Sequence, residues 1–78
     1  MIHVVVRQRS GVVYEGMALA ISGKNAVGPF DILPQHANFV SVLSDGVRLH
    51  LAKTIQDIPF DRGILRVHEN SVEVYVGI

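Results

Sequence analysis

Seventy-eight residues make one small domain, which at this size buries only a little over ~60% of the surface its unfolded chain exposes and leaves no room for a large enzyme with an enclosed cleft. Seven Lys and Arg balance seven Asp and Glu, so no net charge draws the chain to a phosphate backbone or an anionic membrane surface, and nucleic acid is not an expected partner. The absence of cysteine removes disulfide staples and Cys-based zinc sites, while a hydrophobic share of 49% against 18% charged is high for so small a domain and predicts that part of the apolar surface meets a partner.

Met1 leads straight into Ile2-His3-Val4-Val5-Val6 with no charged leader, and every apolar stretch falls far short of the ~20 residues that span a bilayer, which predicts a soluble, untargeted chain. Hydrophobic periodicity is almost everywhere two, the strand period. Ile2, Val4 and Val6 alternate with His3, Val5 and Arg7. A second run, Val12-Val13-Tyr14, follows Gly11, and Gly16 opens a third in which Met17, Leu19 and Ile21 take one face and the small Ala18 and Ala20 the other. Ser22 to Pro29 is rich in residues that tolerate or fix unusual backbone angles and reads as a loop. Phe30 to Leu33 is a brief strand closed by Pro34.

After the Pro34-Gln35-His36-Ala37-Asn38 turn, Phe39-Val40-Ser41-Val42-Leu43 is a strand apolar on both faces, so one face is core and the other an interface. Ser44-Asp45-Gly46 reads as a hairpin turn leading to Val47, Leu49 and Leu51 inward with Arg48 and His50 outward. Ile55 to Phe60 is a weaker strand whose Pro59 belongs at an end or edge. Asp61-Arg62-Gly63 and Glu69-Asn70 turn the chain into two last strands, Ile64 to His68 and Ser71 to Val76. No window carries helical periodicity, and there is no repeat, linker or low-complexity segment. Short strands between closely spaced turns predict an all-β fold, a small flattened antiparallel β-sandwich filling residues 1–78 as a single domain.

Candidates for chemistry are weak. His3, His36, His50 and His68 lack metal-ligand spacing, and three of them occupy the outward phase of a strand, so no metal is expected. Ser41, His36 and Asp31 could be combined into a triad, but Ser41 has no strained elbow turn. Gly23-Lys24 lacks the helix of a phosphate loop. No catalytic residue, cofactor or small-molecule substrate is therefore expected. The distinctive segment is Gly28 to Ser41, where two prolines bracket a short apolar run and a polar His-Ala-Asn corner precedes the two-faced strand. The plainer account is a tight corner in which His36 or Asn38 caps free backbone groups. The functional one is a stiff docking surface that loses little entropy on binding.

Ile32-Leu33-Pro34-Gln35-His36-Ala37-Asn38-Phe39-Val40-Ser41 resembles the signature of the ε subunit of F-type ATP synthases, an Ile/Leu-x-Pro-Gly-His-Ala-x-x-x-Ser/Thr turn and strand. Flanking pieces follow the family's order: Val4-Val5-Val6, Tyr14-Glu15-Gly16, Ile21-Ser22-Gly23, Leu43-Ser44-Asp45-Gly46-Val47, Gly63-Ile64-Leu65-Arg66-Val67 and Asn70-Ser71-Val72-Glu73-Val74. The resemblance implies a non-catalytic rotor subunit of the central stalk, peripheral at the cytoplasmic face of the membrane, that docks on the γ subunit and the c-ring and couples ion translocation to ATP synthesis. His36 and Ser41 match γ-facing positions of the family. Phe39, Val40 and Val42 are added to that interface from the two-faced strand, with Phe39 expected on the outer face. The loop Lys24, Asn25, Ala26, Val27, Gly28 and Pro29 matches the ring-facing loop, without the acidic residues often found there.

Two departures stand out. Gln35 replaces the usual glycine, which strains the backbone if that position takes a positive φ. The family's C-terminal helical hairpin, inhibitory in several members, has no counterpart before Ile78, so a rotor subunit without that regulator is expected. The alternative is a stand-alone β-sandwich module that binds a different partner. A folded surface on the order of 4,700 Å² would give about a third of itself to two standard patches of ~800 Å² each.

Overall fold

Alternating side chains give each strand one face that must leave water, and two such sheets satisfy each other by stacking. The computed structural model describes residues 1–77, Ile78 lying outside the described residues, and contains nine strands. They are β1 (Ile2–Gln8), β2 (Gly11–Ala18), β3 (Ala20–Asn25), β4 (Gly28–Ile32), β5 (Phe39–Ser44), β6 (Val47–His50), β7 (Ile55–Ile58), β8 (Arg62–His68) and β9 (Ser71–Val76). One sheet has the order β2-β1-β9-β8-β5 and the other β4-β3-β6-β7. The fold is an all-β sandwich. Pairing is antiparallel except between β1 and β9, which run parallel.

The core lies between the sheets. Ile2, Val4 and Val6 of β1, Leu65 of β8 and Val72 and Val74 of β9 face Ile21, Ile32 and Leu49 of the smaller sheet, all at most 1% exposed. No polar or charged side chain is buried among the described residues, so burial of apolar area holds the sandwich together.

Several local expectations need correction. The run Val12-Val13-Tyr14 and the first part of the run after Gly16, as far as Ala18, are one strand, β2, while Ala20 and Ile21 open β3. The face of Met17, Leu19 and Ile21 is also wrong. Ala18 and Ile21 are buried, whereas Met17 and Leu19 are each 47% exposed. The reason is a break at Leu19, where the chain leaves one sheet for the other and the alternation restarts. Ser22 to Pro29 is not a loop but the hairpin of β3 and β4, turning at Ala26-Val27.

Ser44-Asp45-Gly46 is not a hairpin either. β5 pairs with β8, whereas β6 pairs with β3 and β7, so this turn carries the chain between sheets. Asp45 at φ 61° and Gly46 at φ 82° make the corner. A Cβ on Gly46 would stand 2.8 Å from the Ile58 carbonyl oxygen, so glycine alone fits there.

Candidate functional site

β5 forms one margin of the five-stranded sheet, and its parity is set by Leu43, which is fully buried. Phe39 and Ser41 share that inward phase, which leaves Val40 and Val42 outside, 67% and 54% exposed. Register continues the outer stripe inward across the sheet: Val42 lies opposite Ile64, and Ile64 opposite Tyr75. These four side chains make an apolar margin on a face whose centre is otherwise charged.

The expectation that Phe39 lies on the outer face is overturned. Its ring stacks edge-on against Phe30 of β4 at 5.5 Å and against His36 at 5.7 Å, sealing the core where β4 and β5 form the sandwich margin. An aromatic side chain in the same phase as Leu43 has nowhere else to pack.

The hairpin tip is stiffened by its own sequence. Asn25 Oδ1 accepts the backbone N–H groups of Val27 at 2.9 Å and Gly28 at 3.2 Å, while Gly28 takes φ 142°. The turn thereby holds Val27 out at 98% exposure. Asn25 Nδ2 also donates to Ser41 Oγ at 3.1 Å, tying the tip to β5 across the gap between sheets. Asn25, Ala26, Val27, Ser41, Val42 and Arg62 line a shared concavity of about 400 Å³.

Two patches that the sequence kept apart are thus neighbours. Lys24 is not part of the concavity. It pairs with Asp45 at 3.2 Å and, with Pro29 opposite it in register, belongs to the outer face of the smaller sheet. His36 sits beyond the other end of β5, at the Phe39 end, so β5 bridges the His36 corner and the hairpin tip.

At that corner Gln35 takes φ 64°, the left-handed conformation that the replaced glycine would accept without strain. Its N–H donates to Asn70 Oδ1 at 3.0 Å, and Asn70 Nδ2 donates to the Met1 carbonyl at 2.6 Å. His36 N–H donates to Leu33 O at 3.2 Å, and His36 Nδ1 lies 2.8 Å from Ala37 O. A carbonyl accepts only, so Nδ1 carries the proton. His36 therefore caps a backbone carbonyl and packs on Phe39, while the residue that anchors the corner is Asn70. The sequence marks Asn70 as a turn residue and as the start of the family-ordered run Asn70 to Val74. An Asn at positive φ does suit a two-residue turn, but nothing local announces contacts to residues 35 and 1.

The outer face of the four-stranded sheet differs in kind. Ser22 Oγ donates to Asp31 Oδ1 at 2.6 Å and stands 2.7 Å from His50 Nε2, and Arg48 forks onto Asp57 at 2.7 and 3.1 Å. With its one proton given to Asp31, Ser22 accepts from His50. The serine thus sits between acid and imidazole, the wrong order for a nucleophile activated by histidine. The imagined Ser41, His36 and Asp31 group is not assembled, since Ser41 bonds Asn25 and Asp31 bonds Ser22. The hydrogen bond from Arg48 holds the Asp57 carboxyl below its usual range, and the same contact raises Arg48.

On the five-stranded sheet, Tyr75 donates to Glu73 at 3.0 Å and its phenol is pushed up by that bond and by the negative charge beside it. Arg66 meets Glu73 at 3.3 Å, and His3 meets Glu15 at 3.4 Å. Among the described residues no three His, Cys, Asp or Glu converge as a metal site.

The family model for the ATP synthase delta/epsilon chain β-sandwich domain matches residues 1–77. No curated protein matches the chain by sequence. Among solved structures, a chain of the Tetrahymena thermophila mitochondrial ATP synthase central stalk and c-ring is 19% identical with a TM-score of 0.80, the match covering 99% of this chain and 63% of that one. A chain of the Euglena gracilis mitochondrial ATP synthase, from a structure of OSCP, F1 and c-ring, is 15% identical with a TM-score of 0.88, covering 96% of this chain and 49% of that one. The chain thus spans about half to just under two thirds of the length of these two neighbours, and at such identities they establish the shared fold.

Proposed function

We propose, from the premise that this chain belongs to the ATP synthase delta/epsilon family through its β-sandwich domain, that it is a non-catalytic rotor subunit docking on the γ subunit and the c-ring. The observation that carries this reading is the continuous surface along β5, where Val40 and Val42 stand exposed beside the projecting Val27. Such a surface is apolar at its centre and held by stiff turns, so docking orders few side chains. The γ subunit lies against Val40 and Val42 with His36 at the margin, Ser41 ties the strand to Asn25 from its other face, and the hairpin tip from Asn25 to Gly28 meets the ring. Phe39 supports that surface from beneath. Bridging stalk and ring, the subunit transmits torque and so couples ion translocation to ATP synthesis.

The surface arithmetic suits two partners. The described domain exposes 4895 Å², and two standard patches of ~800 Å² would occupy about a third of it. No helix among the described residues is long and apolar enough to cross a membrane, and the subunit is held peripherally, at the cytoplasmic face, by its partners. The test is reconstitution: the chain is mixed with purified γ and c-ring from the same source, and assembly is followed by native mass spectrometry. A γ-bound complex that also retains the ring is expected. A chain that stays free of both would contradict the reading and favour a binding module with another partner.

A further inference from the structure

We propose that Asn70 is a positioning residue for the docking corner, setting the presentation of His36 without itself meeting the partner; the docking part of this inference rests on the reading above. Asn70 occupies the second place of the two-residue turn between β8 and β9, with Glu69 at φ 48° and Asn70 at φ 64°. From there one amide group serves two distant segments. Its oxygen accepts from Gln35 N–H at 3.0 Å across 35 residues, and its nitrogen donates to Met1 O at 2.6 Å across 69. The Asn70 backbone carbonyl adds a third tie, accepting His3 N–H at 3.2 Å.

These contacts matter because Gln35 is held in a conformation that a residue with a side chain adopts at a cost. Without an acceptor for its N–H, the turn is free to relax toward commoner angles. His36 follows Gln35 directly, and its ring rests on Phe39, the first residue of β5. Relaxation at Gln35 therefore re-aims His36 and loosens the start of the docking strand. The pairing is specific to an amide. A carboxylate keeps the acceptor but loses the donor, and glycine keeps the turn but loses both.

The experiment uses Asn70→Gly, which preserves the positive φ of the turn, with Asn70→Asp as the conservative partner variant. Amide hydrogen exchange at Gln35 and affinity for purified γ are measured for each. Asn70→Gly is expected to speed Gln35 exchange and to weaken γ binding, each about tenfold, the scale of one net hydrogen bond. Protection of the β8 and β9 core amides stays unchanged. Asn70→Asp is expected to restore Gln35 protection and γ affinity. Wild-type Gln35 exchange and γ affinity in Asn70→Gly would overturn the proposal. So would an Asp variant as loose as the Gly variant, because the Gln35 contact would then not be the operative one. If the unmodified chain fails to bind γ, the docking reading falls, and Gln35 exchange alone still decides whether Asn70 holds the corner.

Discussion

The two outer faces of the sandwich are built on the same strand chemistry yet present opposite surfaces. On the four-stranded sheet, outward Ser22, Asp31, His50, Arg48 and Asp57 are joined in bonds among themselves, with Ile55 as an exposed apolar residue at the β7 edge. On the five-stranded sheet, the Arg66–Glu73 ion pair and the His3–Glu15 contact lie across the centre, whereas Val40 and Val42 of the β5 margin stand exposed. A face whose polar groups are already paired gains little by meeting a partner, whereas exposed apolar area gains by leaving water. The difference is what favours the β5 margin as the docking face in the proposed function, with the other face left to water.

The comparison turns first on which side of β5 is core. Phe39→Asp should destabilise the domain by about 2–4 kcal/mol, because it removes an aromatic packed on Phe30 and brings a charge to the core margin. Denaturant unfolding checks this, and unchanged stability would mean that Phe39 faces water. Gln35→Gly, at the end of the same docking margin, should raise stability by roughly 0.5–1 kcal/mol by relieving a left-handed residue. A lower melting temperature would show that the turn is not strained.

On the polar face, Ser22→Ala should change stability by no more than about 0.5 kcal/mol, since Asp31 and His50 can turn to water, and it should leave γ affinity unchanged. A loss of binding there would abolish the distinction between the faces. The smallest effect concerns pH. Tyr75 has a folded pKa raised above its unfolded value of ~10, chiefly by its bond to Glu73. Its contribution to stability is therefore complete below that unfolded value and is lost as pH rises through the folded one. A tyrosine ring titration by NMR should place Tyr75 above free tyrosine and bring it back toward it in Glu73→Gln. An unmoved value in that variant would remove Glu73 as the cause.

Much of the sandwich was legible because alternation is a local property. Val47 and Leu49 against Arg48 and His50, or Val72 and Val74 against Glu73 and Tyr75, announce a strand and its faces without reference to the rest of the chain. Pairing is not local. Nothing in β1 or β9 indicates that they run parallel, and an Asp-Gly turn serves a corner between sheets as well as a hairpin. The face of Phe39 was illegible for a related reason. With apolar residues in both phases from Phe39 to Leu43, only the depth of Leu43 in the assembled core fixes the parity. The site was half legible. Its segments were visible as stiff, apolar or motif-bearing, but the approach of the hairpin tip to Ser41 and the grip of Asn70 on Gln35 exist only once distant strands have met.

The claim that one outer face docks and the other does not is tested most directly by paired double substitutions. Val40→Lys with Val42→Lys places a natural edge-strand residue on the β5 margin, and Arg48→Gln with Asp57→Asn discharges the ion pair of the other face. Affinity for purified γ is measured for both by calorimetry, after their folding has been checked by unfolding. The margin variant should lose at least about tenfold in affinity, while the opposite-face variant binds as the unmodified chain does. Equal affinities for the margin variant and the unmodified chain, or a loss confined to the opposite-face variant, would contradict the assignment.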